Sequence, residues 1–478
     1  MATSKKYDVA ILGRGAAAFS AAIKASELTD NNSTIAMVGT GPIGGTCVNV
    51  GCVPSKYLLE ASHSHFYPRH PKFQGIEQSH PGFDFSEVME GLRNLVSRFR
   101  QEKYENVLES YPNIEVIEGR ARFSSPSEIE VSNHDQRREK AITGKHIIIA
   151  TGSRPTAPPI EGLDTTRYIT SDTVWDLTER PRRLAVIGGG AIGLEIGQAF
   201  MHLDSDVSII EAMPRIIPTA EPDISEALQR RLTHEGMEFY IKARINRVWR
   251  ENGKKVLEVV TAKGKSKVEC DEILVATGRA PNTDQLSLDR AGVETDGHGF
   301  IKVDSNMRTS KPRIYAAGDC ISKKLMLETL AAREGVVAAS SMMGERAAVD
   351  YPSVPWAVFT NPQVAAVGVT EEEFVKQTGS CSCRVVQLKD VPKATMLGEG
   401  VGLVKVIINP SNGKVVGLHI LSPLATEYVL EGAYAIKHGL TFEDILNTTH
   451  IFPTLSEGVK LAAQSFVRDI SKMSCCVE

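Results

Sequence analysis

Two strand–turn–helix segments have matching glycines 175 residues apart, and they constrain the fold of this chain more than any other feature. Tyr7 to Leu12 reads as a buried strand, runs into Gly13-Arg14-Gly15-Ala16-Ala17-Ala18, and continues as a helix to about Leu28. Leu184 to Ile187 repeats the pattern, followed by Gly188-Gly189-Gly190-Ala191-Ile192-Gly193 and the helix-like LEIGQAFMHL. In such a turn the first glycine makes the bend and the second lets the backbone approach a pyrophosphate. The third position, Ala18 in one copy and Gly193 in the other, allows the helix to pack on the strand. The helix N-terminus then offers its unpaired N–H groups to the phosphates. The expected class is α/β, with two Rossmann-like dinucleotide-binding domains.

A second strand after each turn should end in an acid that accepts from the adenosine ribose. The downstream copy obeys, since Val207 to Ile210 runs into Glu211. A carboxylate there repels a 2′-phosphate, which favours NADH over NADPH, although Arg215 lies close by. The upstream copy departs: Thr34 to Val38 ends at Gly39.

Two further strands end alike, in Ala150-Thr151-Gly152 and Ala276-Thr277-Gly278, and mark where the chain leaves each nucleotide fold. A third strand, Ile314 to Ala316, leads through Ala317 and Gly318 to Asp319, an acceptor for a cofactor hydroxyl. Beyond residue 346 the glycine turns stop, and strands at Gly402 to Ile408 and Lys414 to Ile420 indicate an α+β unit. The expected domains are 1–152 with 280–345, then 153–279, then 346–478. At 478 residues, 42% hydrophobic and 23% charged, the chain can fill three cores. Its net charge of −4 excludes a basic nucleic-acid footprint. No apolar run is long enough to span a membrane. Lys5 and Lys6 precede an apolar run, but Arg14 and the spaced glycines argue against a secretory signal. Eight unevenly spaced cysteines in a chain of this length suggest a reducing, cytoplasmic compartment.

The chemistry is concentrated in Gly44-Gly45-Thr46-Cys47-Val48-Asn49-Val50-Gly51-Cys52-Val53-Pro54-Ser55-Lys56. Five residues apart in an ideal helix, two Cα atoms are about 8–9 Å distant. A disulfide wants roughly 4.4–6.8 Å. Cys47 is therefore expected outside helix, and a thiol at the following helix N-terminus is expected to ionise readily.

This stretch resembles the redox-active signature of the flavin-dependent pyridine nucleotide–disulfide oxidoreductases, and the resemblance extends from Tyr7 to the C-terminus. It implies FAD on the first glycine turn, with Gly13, Gly15, Ala18, Gly45, Thr46, Lys56, Thr151, Gly152, Gly318 and Asp319 around it. It implies a nicotinamide nucleotide on the second, with Gly188, Gly190, Gly193, Glu211 and Gly278. It also implies a homodimer formed by the last domain. By the same carry-over Cys52 lies against the flavin, Cys47 exchanges with substrate, and Lys56 sits near the flavin and pairs with Glu195.

Thiol-reducing members of the family carry His-x-His-Pro-Thr-x-Ser-Glu, whose second histidine is the acid–base partner of the exchanging thiol. Here the segment reads His450-Ile451-Phe452-Pro453-Thr454-Leu455-Ser456-Glu457. Phenylalanine transfers no proton, so the base for dithiol turnover is missing. The adjacent Cys475 and Cys476 resemble the tail pair of the mercuric reductase branch, and soft thiolates suit soft metal ions. The resemblance implies Hg(II) as substrate, collected by Cys475 and Cys476 and passed to Cys47 and Cys52 of the other subunit. Tyr168 matches a tyrosine of that branch near the metal, whereas Phe452 replaces another. The chain resembles the core form without the small N-terminal metal-binding domain. The rival readings are a disulfide reductase with an internal dithiol relay and a flavin-bearing metal-sequestering protein. Cys381 and Cys383 form a C-x-C of a kind that can bind metal, but a loop before an Arg384 to Leu388 strand is the expectation, and Cys270, Cys320, His63, His65 and His70 are expected to be structural.

Overall fold

A computed structural model describes residues 4–133, 139–322, 325–469 and 472. The chain divides into two compact units. One comprises residues 1–55, 89–156 and 278–349, the other 56–88, 157–277 and 350–478.

The first unit is built on a seven-stranded sheet. Its parallel part runs Ile114–Glu118, Ile35–Gly39, Lys5–Leu12, Glu139–Ile149 and Ile314–Ala316. The central strand is fully buried from Val9 to Leu12, as expected where both faces of a parallel sheet are covered. The helix Ala16–Glu27 packs closely on the helix Glu328–Met342, because Gly335 leaves its backbone open to the carbonyl of Ala17.

The second unit contains a five-stranded parallel sheet in the order Glu238–Ile241, Asp206–Glu211, Arg183–Ile187, Glu272–Val275 and Ile169–Thr170. It also holds a three-stranded antiparallel sheet (Arg244–Glu251, Lys254–Thr261, Gly264–Cys270). A five-stranded antiparallel sheet has Val415–Ser422 at its centre. The edge strand of that sheet is Ser382–Gln387, so Cys383 lies in a strand rather than in the expected loop.

The two glycine turns are the same object built twice. Gly13 N donates to Val38 O and Ala150 N to Leu12 O, each at 2.7 Å. In the second copy Gly188 N donates to Ile210 O at 2.9 Å and Ala276 N to Ile187 O at 2.8 Å. A Cβ on Gly13 would stand 2.0 Å from Ala150 O, and one on Gly188 would stand 2.4 Å from Ala276 O. Both residues also have positive φ, +139° and +111°, so only glycine fits either turn. Gly15 and Gly190 cap the following helices in extended conformation, leaving the first helical N–H groups pointing out of the turn.

Candidate active site

The cysteine loop is seated on the first glycine turn. A Cβ on Gly45 would lie 2.6 Å from Gly15 Cα, so a side chain at Gly45 would part the two backbones. Contrary to the sequence expectation, Cys47 is helical, within the short helix Gly45–Val50. The helix stops at Gly51 and a new one, Cys52–Phe66, starts at the second thiol. At the break the chain folds back so tightly that a Cβ on Gly51 would meet Thr46 O at 2.9 Å and Cys47 Cα at 3.2 Å. The kink resolves the spacing problem that a continuous helix would pose. In the dithiol form the hydrogen bond with Cys52, and then burial, push the Cys47 thiol well above its ordinary value. At this cysteine the neighbouring thiol and burial outweigh any help from helix position.

Lys56 follows Cys52 by one helical turn. Its Nζ lies 2.7 Å from Glu195 Oε2 and 4.2 Å from the centre of the Phe359 ring. Glu195 is buried, and its other oxygen accepts the Phe359 N–H at 2.9 Å. Asp319 accepts from Ser153 Oγ at 2.8 Å, and Ser153 Oγ in turn accepts from Arg279 Nε at 2.7 Å. Thr151 Oγ1 is buried, and the Thr151 side chain interacts with the Cys320 thiol. In the second unit Glu211 accepts from Gly189 N at 2.6 Å and from Met213 N at 2.7 Å, so both oxygens are engaged by the glycine turn and the strand end. Gly193 is confined by Gly188 O, 2.1 Å from where its Cβ would be.

Sequence reasoning left open what stands at Gly39. The Arg14 side chain fills that space, with its Cγ 2.9 Å from a Cβ on Gly39. Arg14 Nη1 donates to Glu118 Oε2 at 2.5 Å and to Gly41 O at 2.9 Å. Glu118 ends the neighbouring strand Ile114–Glu118 as the register partner of Gly39.

Of the other candidates, Tyr168 is partly buried against the core formed by Leu163, Ile187 and Val275. Phe452 is exposed, and Glu457 accepts the Thr454 N–H at 3.1 Å. His450 Nε2 meets Glu431 Oε2 at 3.2 Å, and that hydrogen bond raises its pKa. Cys270 and Cys320 are buried, as is His65, while His63 is pushed down to about 4 by burial. Cys475 and Cys476 lie outside the described residues.

Residues 7–335 match the family described as pyridine nucleotide-disulphide oxidoreductase, and residues 354–463 match its dimerisation domain. The chain belongs to this family. Among curated relatives of this oxidoreductase, the mercuric reductase of Staphylococcus aureus is 38% identical over 98% of this chain and 84% of its own. The mercuric reductase of Streptomyces lividans is 37% identical over 98% of both. Among solved structures, a Cu(II) complex of the HOCl-induced flavoprotein disulfide reductase RclA from Escherichia coli is 25% identical with a TM-score of 0.85, covering 97% of this chain and all of that one. LpdA from Mycobacterium tuberculosis is 26% identical with the same TM-score and coverage. No helix among the described residues is long and apolar enough to cross a membrane.

Proposed function

We propose that this oxidoreductase reduces Hg(II) to elemental mercury with NAD(P)H, and that residues 1–152 with 280–345 bind FAD, 153–279 the nicotinamide nucleotide, and 346–478 a second copy of the chain. The observation that carries the reading is the thiol pair at the Gly51 break combined with Phe452 where thiol-reducing members keep a base. Identity to mercuric reductases over nearly the whole chain supports it.

The residues around the first glycine turn fit FAD. A Cβ on Gly15 would have only Gly45 Cα near it, at 3.8 Å, and a twelve-residue helix begins there with its first N–H groups lacking helical partners. Bound there, FAD supplies the two-electron link between nicotinamide and thiols. Glu195 fixes the Lys56 ammonium on the helix that Cys52 opens. Cys47 and Cys52 take the metal as a thiolate pair, and their two protons leave as Hg(II) arrives. No further proton needs to be moved by a base at position 452, which accounts for a phenylalanine there. Cys475 and Cys476 collect the metal and hand it by ligand exchange to the redox pair of the other subunit, with Tyr168 assisting. Exposed Leu430 and Tyr434 on the helix Leu430–His438, with Ile451 and Phe452, offer an apolar face for dimerisation. The working compartment is the cytoplasm, where thiols stay reduced.

The test follows nucleotide oxidation in excess small thiol with and without Hg(II), trapping volatile mercury, with oxidised lipoamide and glutathione assayed in parallel. Metal-dependent oxidation with mercury release is expected. Oxidation driven by a disulfide, with no volatile metal, would overturn the reading in favour of a disulfide reductase.

A further inference from the structure

Outside the redox stretch, three ligating side chains converge on the antiparallel sheet of the second unit. The donor atoms of Glu371, Cys381 and Cys383 all lie within 4.8 Å of one another. Glu371 opens the helix Glu371–Thr378, which ends at Gly379 in left-handed conformation. The chain then turns back through Cys381 into the edge strand that carries Cys383. Cys381 Sγ lies 3.7 Å from Glu371 Oε1. The other carboxylate oxygen, Oε2, accepts from Lys405 Nζ at 2.8 Å, and the Glu371 N–H donates to Glu221 Oε1 at 2.5 Å. Glu371 is thus held through its backbone N–H and through one carboxylate oxygen, while the other oxygen faces Cys381.

The surroundings are acidic and rigid. Lys405, on the strand beside Cys383, has its side chain buried and is met by Glu221 at 2.7 Å and Asp223 at 3.4 Å as well as by Glu371. Three carboxylates therefore oppose one ammonium before any thiol ionises, a balance that favours a cation. The Lys405 hydrogen bond keeps Glu371 ionised, whereas burial and then Glu371 push Cys383 up to about 11. A thiol gives up its proton when it becomes a metal ligand. Two sulfurs and one carboxylate with partial exposure match a thiophilic divalent d10 ion with an open coordination position.

We propose that Cys381, Cys383 and Glu371 form a second binding site for a thiophilic divalent cation, separate in sequence from the redox pair. Binding releases two thiol protons and forms two metal–sulfur bonds, with no change of oxidation state. The site stands on these three residues and does not depend on the reaction proposed above.

The experiment uses the full chain with Cys47→Ser, Cys52→Ser, Cys475→Ala and Cys476→Ala, titrated with Cd(II) while its ultraviolet sulfur-to-cadmium absorption and proton release are recorded. One equivalent per chain is expected, with two protons released. Adding Cys381→Ser/Cys383→Ser abolishes the signal, and Glu371→Gln weakens binding by about tenfold or more. No stoichiometric binding, or binding retained without Cys381 and Cys383, would overturn the site. In the otherwise unaltered protein, Cys381→Ser/Cys383→Ser should keep flavin content and nucleotide oxidation unchanged, which separates loss of the site from loss of the fold. Glu371→Gln gives an independent reading, since full Cd(II) affinity in that variant would remove the carboxylate from the ligand set.

Discussion

Glu118 stands opposite Gly39 in the parallel register of neighbouring strands, and Arg14 joins them, its stem over the glycine and its guanidinium on the carboxylate. The acid that usually ends the second strand of a dinucleotide fold is thereby moved one strand outward. Gly39→Glu alone forces its Cβ against Arg14 Cγ at 2.9 Å, and flavin affinity should fall about tenfold, or about 1.4 kcal/mol. Adding Arg14→Ser should restore it by clearing the space. Fluorescence titration of apoprotein with FAD checks both. Equal affinity in all three proteins would show that Arg14 does not govern this end of the cofactor site.

Glu195 divides its carboxylate between the Lys56 ammonium and the Phe359 amide. In Glu195→Gln the carbonyl oxygen can still accept from Phe359, but the amide nitrogen turned to Lys56 offers no charge and no acceptor. Rapid-mixing measurement of flavin reduction by NAD(P)H should show a loss of about tenfold or more, with flavin content unchanged. An unaltered rate would remove this pair from the electron path.

The largest influence raising the Cys47 pKa is the thiol of Cys52. Replacing Cys52 by Ala removes that hydrogen bond and the like charge that follows ionisation. Cys47 should then ionise at lower pH. The pH profile of alkylation by iodoacetamide, compared with the dithiol wild type, should shift towards acid. A midpoint that stays or moves upward would mean that burial rather than Cys52 controls this thiol.

What the sequence disclosed follows from the range of the interactions involved. Both glycine turns, their strands and Glu211 are legible because each depends on residues within one strand–turn–helix unit. The segment Gly44 to Lys56 is legible because its chemistry is local. The helical state of Cys47 was misjudged because the kink at Gly51 depends on how closely the backbone returns to Thr46, and spacing does not reveal that. Arg14 with Glu118, and Glu371 as a neighbour of the Cys381 and Cys383 pair, escaped for a different reason. Arg14 and Glu118 are 104 positions apart and are brought together by strand register. Glu371 reaches Cys381 only because the intervening helix folds back.

With both oxygens of Glu211 already bound by backbone amides, the second glycine turn has its shape before any nucleotide arrives. Ordering of this loop is settled during folding, so little of the nucleotide's binding energy goes into arranging it. A ribose hydroxyl must then be accommodated by a carboxylate that already carries two hydrogen bonds, and a 2′-phosphate would meet a fixed negative charge with no freedom to swing aside. If the nucleotide ribose meets Glu211, the choice between NADH and NADPH is already prepared by the contact between Glu211 and Gly189.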